Sequence, residues 1–362
     1  MPDAVITDPA QVTPEWLTDV LAAGGALDAG MVVAFETDAG RGNWSSNVRL
    51  RVRYSPEARG EQPERLFLKL VNTDLGDEES FGPSEVTYYT RDYVGVSDAP
   101  LVRCYHAAYS EARHRYHLLL DDLSDSHVSA GEKPPTLAYG EALAEGLAAL
   151  HARWWGAARL AEAAAPIHDA AHILRFVAIA APGMDYLIAG AGHLLEPHWP
   201  ALLRDLFARH PAAMIARAAD AEGFTLIHGD AGEYNILVPR QGDRPIYLID
   251  RQPFDWSLTT WLGVYDLAYA MVIDWDTDRR RALEAPVLRH YHAELRRRGV
   301  GGASWERLYD DYRLAAAMCV YVATEYCRGG IPERWWRFGP IMLRRALTAC
   351  DDLRCAELWQ GL

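Results

Sequence analysis

The run Leu226-Ile227-His228-Gly229-Asp230-Ala231-Gly232-Glu233-Tyr234-Asn235-Ile236-Leu237 passes from an apolar strand into a polar loop and back into an apolar strand. Asp230 lies in that loop, and Asn235 follows it by five residues. A second apolar strand, Ile246-Tyr247-Leu248-Ile249, ends in Asp250, 20 residues after Asp230. Two strands of this kind deliver all three polar side chains to one edge. Such groups at strand ends are costly unless they are solvated, paired or bound to a cation. An Asn and an Asp supply hard oxygen ligands, which suits magnesium with phosphate oxygens completing its shell. Asp230 is then the carboxylate left to accept a proton from a hydroxyl nucleophile.

Lysine usage adds a fourth residue. Only two of the 36 basic residues are lysine, Lys69 and Lys133. Lys133 falls in Gly131-Glu132-Lys133-Pro134-Pro135 and reads as a solvated loop residue. Lys69 falls inside Leu66-Phe67-Leu68-Lys69-Leu70-Val71, an apolar strand, where a charge needs a partner.

The elements that must position these residues change character along the chain. Thr13-Pro14-Glu15 is a helix start, with Thr13 as cap and Pro14 at the first helical position. Val48, Leu50, Val52 and Tyr54 alternate with Arg49, Arg51 and Arg53, a half-buried strand. Pro56, Gly60 and Pro63 punctuate a turn into the Leu66–Val71 strand, so the two predict a hairpin-like pair. A helix opens at Pro83-Ser84-Glu85 and runs to about Tyr93, and strands follow at Leu101–Tyr105 and Tyr116–Leu120. Beyond the polar stretch 121–135 the period turns helical, with Leu143, Leu147, Leu150 and Trp154 on one face. Further helices are predicted over 264–273, 305–327 and 336–358. The fold class is α+β, with a small β-rich lobe over 1–124 and a larger, mainly helical lobe over 125–362.

Composition excludes several functions. With 50% hydrophobic residues the chain buries a large core, and its 24% charged content is ordinary. A net charge of −14 argues against nucleic-acid binding, because no basic surplus exists to release counterions. No apolar run of about 20 residues is read, so no membrane span is expected. Residues 1–14 lack the basic and apolar regions of a secretory leader. The five cysteines, 104, 319, 327, 350 and 355, are odd in number and widely spaced. They predict buried thiols in a reducing cytoplasm.

HGDxxxxNIL followed by LID resembles the catalytic and metal-binding loops of the aminoglycoside phosphotransferase and choline kinase group, which shares the protein-kinase fold. The resemblance spans roughly residues 35 to 275. It implies ATP and magnesium as cofactors, Asp230 as catalytic base, and Asn235 and Asp250 as magnesium ligands. His228 takes the place of a packed structural histidine. Lys69 corresponds to the lysine that clamps ATP phosphates and Glu85 to its carboxylate partner. Residues 38–47 precede the first strand, where a nucleotide-covering loop belongs. There Gly40 and Gly42 permit close backbone approach, and Ser45, Ser46 and backbone N–H groups donate to phosphates. Leu120, Asp121 and Asp122 match the interlobe hinge, whose backbone meets the adenine edge. Asp266, in Gly263-Val264-Tyr265-Asp266, matches a residue that braces the catalytic loop.

The departures are informative. Asp250 is followed by Arg251-Gln252, so no DFG glycine and no protein-kinase activation segment exist, which favours a small-molecule kinase. The segment 254–261 is long and aromatic, and either shapes the acceptor pocket or packs against the lobe. Asp274, Asp276, Asp278 and Glu284 favour an amine-bearing acceptor: an aminoglycoside, an amino sugar or a choline-like alcohol. Arg279, Arg280 and Arg281 adjoin them, however, so a charge-balanced surface is the preferred reading of this group. Trp154-Trp155 keeps open a kinase of hydrophobic hydroxylated compounds, similar to ecdysteroid kinases. A non-catalytic nucleotide-binding pseudokinase and a metal-dependent hydrolase are the readings from other classes. The intact Lys69, Asp230, Asn235 and Asp250 set speaks against the first. Lys69, Glu85 and the hinge go unexplained by the second. The expected partner is a small-molecule hydroxyl acceptor, with no nucleic acid and no membrane. No GxxxxGK[ST], GxSxG or HExxH occurs.

Overall fold

The structure, a computed structural model, describes residues 5–41, 45–73, 80–163, 165, 167–302 and 304–361. Its contacts divide the chain into two compact units that are not contiguous in sequence. Unit 1 comprises Met1–Ser97, Leu101–Val128 and Tyr247–Asp255; unit 2 comprises Asp98–Pro100, Ser129–Ile246 and Trp256–Leu362.

Unit 1 is built on an antiparallel sheet. Its strands are β1 (Val32–Arg41), β2 (Ser45–Tyr54), β3 (Arg65–Val71), β4 (Cys104–Ser110) and β5 (Arg115–Asp121), in the order β1-β2-β3-β5-β4. On β2 the expected alternation holds, with Val48, Leu50 and Val52 buried and Arg49, Arg51 and Arg53 exposed. β2 and β3 pair antiparallel, as the turn residues between them require. Helix α1 (Pro14–Ala23) starts where the sequence places it, with the Thr13 side chain accepting from Trp16 N. It contributes Leu17, Val20 and Leu21 to a core shared with Leu66, Leu68, Leu70 and Leu119. Helix α2 (Ser84–Thr87) makes one α-helical turn and widens into π-helical backbone over Tyr88–Asp92.

One strand of this sheet went unread. β1 takes residues 38–41 and β2 residues 45–47 of the segment expected as a nucleotide-covering loop, pairing Gly40 with Asn47 and Arg41 with Ser46. Ser45 and Ser46 are accordingly strand residues, paired with Val71 and Leu70 of β3.

Unit 2 is mainly helical. It holds α3 (Leu137–Arg153), α4 (Ala157–Glu162), α5 (Ala170–Ala191), α6 (Trp199–Ala218), α7 (Val264–Ala268), α8 (Thr277–Arg297), α9 (Trp305–Glu325) and α10 (Trp335–Asp352). Short strands β7 (Phe224–Leu226) and β10 (Thr260–Leu262) pair within it, and β8 (Ile236–Pro239) belongs to it; β9 (Tyr247–Leu248) belongs to unit 1, and β6 (His127–Ser129) falls where the chain passes from one unit to the other. α9 is buried on every side from Leu314 to Tyr321, the pattern of a central helix. α5 packs on it so closely that a Cβ at Gly183 would stand 1.9 Å from Thr324 O. The span Ala170–Leu194 is long and apolar enough to cross a membrane by length and composition, which corrects the expectation that no such run exists. Its alanines and glycines disguise it in sequence, and its buried face, with Ile173, Phe176, Val177 and Leu187, packs inside unit 2. The five cysteines are free thiols, four of them buried.

Candidate active site

In unit 1 a buried ammonium lies between two carboxylates. Lys69 sits mid-strand on β3 and is 6% exposed. Its Nζ donates to both oxygens of Glu85, at 2.8 and 2.7 Å, and to Asp250 Oδ1 at 2.8 Å. Glu85, at the second position of α2, is 1% exposed and also accepts the Tyr116 hydroxyl from β5. Burial by itself would depress the Lys69 ammonium, but Asp250 and Glu85 outweigh it and hold the proton on. Burial pushes the Glu85 carboxyl up, against the pull of Lys69. Asp250 adopts the left-handed backbone, with φ +58°, an uncommon conformation for a residue with a side chain. Its side chain is 47% exposed, so one oxygen meets Lys69 while the other is open to a ligand.

In unit 2 the loop carrying Asp230 is fixed from beneath. Asp266, 0% exposed on α7, accepts His228 N–H at 2.7 Å and Gly229 N–H at 2.9 Å. His151 Nε2 lies 3.1 Å from the same carboxylate, which leaves its Nδ1 to accept from the Tyr291 hydroxyl at 2.7 Å. Burial would raise the Asp266 carboxyl, but the hydrogen bonds and charge of His151 and the loop hold it below the usual range. Gly229 has φ +82°, which only glycine adopts freely, and so turns the chain at Asp230. The Asp230 carboxylate accepts the Tyr269 hydroxyl on Oδ1 at 2.6 Å and Asn235 Nδ2 on Oδ2 at 3.0 Å. Asn235 Nδ2 also reaches Asp230 O at 2.8 Å, so the side-chain oxygen of Asn235 is the atom left for a cation. His228 is 1% exposed and its Nδ1 meets Asp230 N at 3.3 Å, consistent with a packed structural histidine.

Asn235 in unit 2 and Asp250 in unit 1 are each an oxygen donor of the kind a hard cation takes.

The remaining expected residues divide. Gly42 lies outside the described residues. The Ser45 and Ser46 hydroxyls are engaged by Asn47 at 3.0 Å and Asn72 at 3.5 Å, because the strands extend into the expected loop. Leu120 is buried at the end of β5. Asp121 accepts the Tyr105 hydroxyl at 2.6 Å, and Asp122 accepts Arg65 at 3.1 Å and Ser124 N–H at 3.0 Å. Both carboxylates are therefore engaged within unit 1, and so are the two backbone N–H groups, which donate to Arg103 O at 3.0 Å and Arg65 O at 3.4 Å. Lys133 is not a freely solvated residue: its Nζ donates to Pro239 O at 3.0 Å and Gly242 O at 2.5 Å.

The acidic group after α7 separates into two kinds. Asp276 caps α8, Asp278 lies 3.7 Å from Arg281, and Glu284 accepts Arg280 at 2.7 Å. Asp274 differs: it accepts Glu233 N–H at 2.7 Å and lines a concavity with Glu233, Tyr139, Lys133 and Trp275. Burial pushes Asp274 well above the usual carboxylate range, and Glu233 adds to the push while Arg345 opposes it. Glu233 is also raised, chiefly by burial. In the aromatic segment Trp256 packs near Phe176, and Trp261 packs on Phe224 and donates to Met318 Sδ at 3.1 Å. Trp154 is buried and Trp155 lines a separate small cavity with Gly223, Leu262 and Asp311.

Tyr116, Tyr269, His151 and Glu233 were missed in the sequence. Tyr269 is the one with a signal, since Asp266 and Tyr269 stand three apart on one helical run.

No family model and no curated protein matches the chain. Solved structures do match. An ethanolamine kinase from Plasmodium vivax superposes with a TM-score of 0.54 at 13% identity, over 88% of this chain and 83% of that one. A glucosamine kinase superposes with a TM-score of 0.52 at 14% identity, over 98% and 87%. A GDP complex of a point mutant of aminoglycoside 2'-phosphotransferase-IIIa gives 0.51 at 12% identity, over 95% and 98%. The chain therefore has the protein-kinase-like fold of these small-molecule kinases, with a small β-rich lobe and a larger helical one.

Proposed function

We propose that the chain is an ATP-dependent phosphotransferase that moves the γ-phosphate to a hydroxyl of a small, amine-bearing molecule. The observation that carries this reading is the Lys69 triad. Burying an ammonium between two carboxylates is a poor route to stability. It is well suited to holding a lysine charged and oriented toward phosphate oxygens. In this reading Asp230 accepts the acceptor's hydroxyl proton as the oxygen bonds to the γ-phosphorus and the bond to the leaving nucleoside diphosphate breaks. Tyr269 and Asn235 hold the Asp230 carboxylate in one orientation, and Asp266 keeps its loop rigid. Asn235 and Asp250 would hold magnesium, which neutralises charge on the phosphates. Catalysis is then mostly positioning and electrostatic stabilisation.

The amine is argued from Glu233 and Asp274. The charges of Glu233 and Asp230 act on Asp274, with Arg345 as the opposing charge. An arriving ammonium adds to that opposing charge, in a concavity that Tyr139 and Trp275 also line.

The test is nucleoside diphosphate release from ATP or GTP, with and without magnesium, across aminoglycosides, amino sugars and choline-like alcohols. Acceptor-stimulated release lost in Asp230→Asn supports the reading. No turnover with any acceptor, despite nucleotide binding, would replace it with the pseudokinase. Hydrolysis of a non-nucleotide phosphate ester would replace it with the hydrolase.

A further inference from the structure

Arg251 directly follows Asp250, yet its side chain runs along a different element. It is 3% exposed. Its Nη1 donates to Ser84 O at 3.0 Å and lies 3.7 Å from Asp92 Oδ2, and its guanidinium carbon stands 4.7 Å from the centre of the Tyr88 ring. Asp92 is 2% exposed and also accepts Arg91 Nε at 2.7 Å. Ser84, Tyr88 and Asp92 are the start, middle and end of the helical segment that bears Glu85. One side chain therefore touches that segment along its whole length.

The backbone on both sides reinforces the contact. Ser84 Oγ donates to Gln252 O at 2.6 Å. Gly82 N–H donates to Pro253 O at 2.7 Å, and Asp255 N–H to Ser80 O at 3.1 Å. The Phe81 and Phe254 rings lie 5.6 Å apart.

A helix this short has no stability of its own, and its π-helical half has poorer hydrogen bonding than an α-helix. Its placement must come from tertiary contacts. A guanidinium combines a planar face for Tyr88 with a donor for Ser84 and a charge beside Asp92; an ammonium lacks the planar face. Glu85 and Asp250 grip Lys69 from opposite ends of this connected set.

We infer that Arg251 is a positioning residue that locks the Glu85 helix to the Asp250 loop, so that both carboxylates hold Lys69 at once. That this grip serves nucleotide phosphates rests on the phosphotransferase reading; the grip itself is a property of unit 1 alone.

The chain's two lysines make the test internal. The probe is an amine-acylating ester, used at one pH well below the melting temperature without nucleotide, with peptide masses giving the Lys69 to Lys133 labelling ratio. Arg251→Gln is expected to raise the ratio roughly tenfold, because Lys69 gains a population free of one carboxylate. Where loss of the Arg251 charge beside Asp92 disrupts folding, Arg251→Gln/Asp92→Asn removes the Asp92 charge without restoring the clamp, and the same rise is expected. Arg251→Lys is expected to rise as well. Global destabilisation also raises the ratio, because Lys133 is half-exposed and reacts without unfolding while Lys69 is buried. Each Arg251 variant is therefore compared with Val20→Ala, a core change in unit 1 away from Arg251, at a matched loss of Tm. A ratio within about twofold of that control in the double variant overturns the inference. In turnover, the Arg251 variants should raise KM for nucleotide and lower kcat, with KM for the acceptor unchanged. A raised ratio in a protein that never releases nucleoside diphosphate supports the clamp and sinks the phosphotransferase reading. An unchanged ratio in an active enzyme does the reverse.

Discussion

Asp266→Asn separates a brace from a bystander. Three donors converge on this carboxylate: the amides of His228 and Gly229, and His151 Nε2. Asn has nearly the same shape but a single acceptor oxygen. With that oxygen placed between His228 and His151, the new NH2 faces the Gly229 amide, donor against donor. A buried donor left without a partner costs about 1–3 kcal/mol. In a unit of this size each kcal/mol moves Tm by about 2–4 °C, so a fall of about 4–8 °C is expected for a cost near 2 kcal/mol. Gly229 immediately precedes Asp230, so the base shifts with it, and a displacement near 1 Å costs about 10²-fold in rate. The pH dependence carries a sign. The folded-state pKa of Asp266 is depressed, so its contribution is complete above the unfolded value near 4 and is lost as pH falls toward the folded one. The Tm gap between wild type and variant should therefore be widest near neutrality and close as pH falls below about 4. Thermal unfolding at pH 3.5–7, beside turnover assays, reads both effects. A constant gap across that range, or full activity, refutes the brace.

Asp230→Asn keeps the Tyr269 hydrogen bond and should lower kcat by about 10²–10⁴ with nucleotide affinity near normal, measured by steady-state kinetics and calorimetry. Lys69→Met leaves Glu85 buried without its counter-charge and should destabilise the protein by about 3–5 kcal/mol. Lys69→Met/Glu85→Gln should recover most of that in denaturant titration while remaining inactive. Asp274→Asn should raise KM for an amine acceptor with little change in kcat, and should leave KM for a non-amine alcohol unmoved.

What the sequence revealed follows from distance along the chain. Asp230 and Asn235 share one loop, so their spacing survives as a readable pattern. Lys69 was noticeable because an apolar strand isolates it, and Glu85 follows within 16 residues. The contact of Lys69 with Asp250 crosses 181 residues, and no local pattern carries it. The same holds for Glu233 with Asp274. β1 escaped because it is an edge strand: Val32 is buried, Ala34 and Phe35 are half-buried and residues 36–40 are exposed, so no period-2 burial marks it. α8 was hidden by Arg280, which occupies a core-facing position at 1% exposure and interrupts the apolar face formed by Val287, Leu288, Tyr291 and Leu295.

The left-handed backbone at Asp250 sets an evolutionary gradient. A residue with a Cβ pays roughly 1–2 kcal/mol to hold that conformation, and glycine avoids the penalty. The carboxylate is thus retained against the local preference of its own backbone, offset by the bond to Lys69. In a lineage released from selection for turnover, paired drift at the two positions, Asp250 to glycine and Lys69 to an apolar residue, removes conformational strain and buried charge together. Decay of activity should therefore begin at this pair, ahead of the Asp230 loop, where Gly229 already absorbs the positive φ and no such relief is on offer.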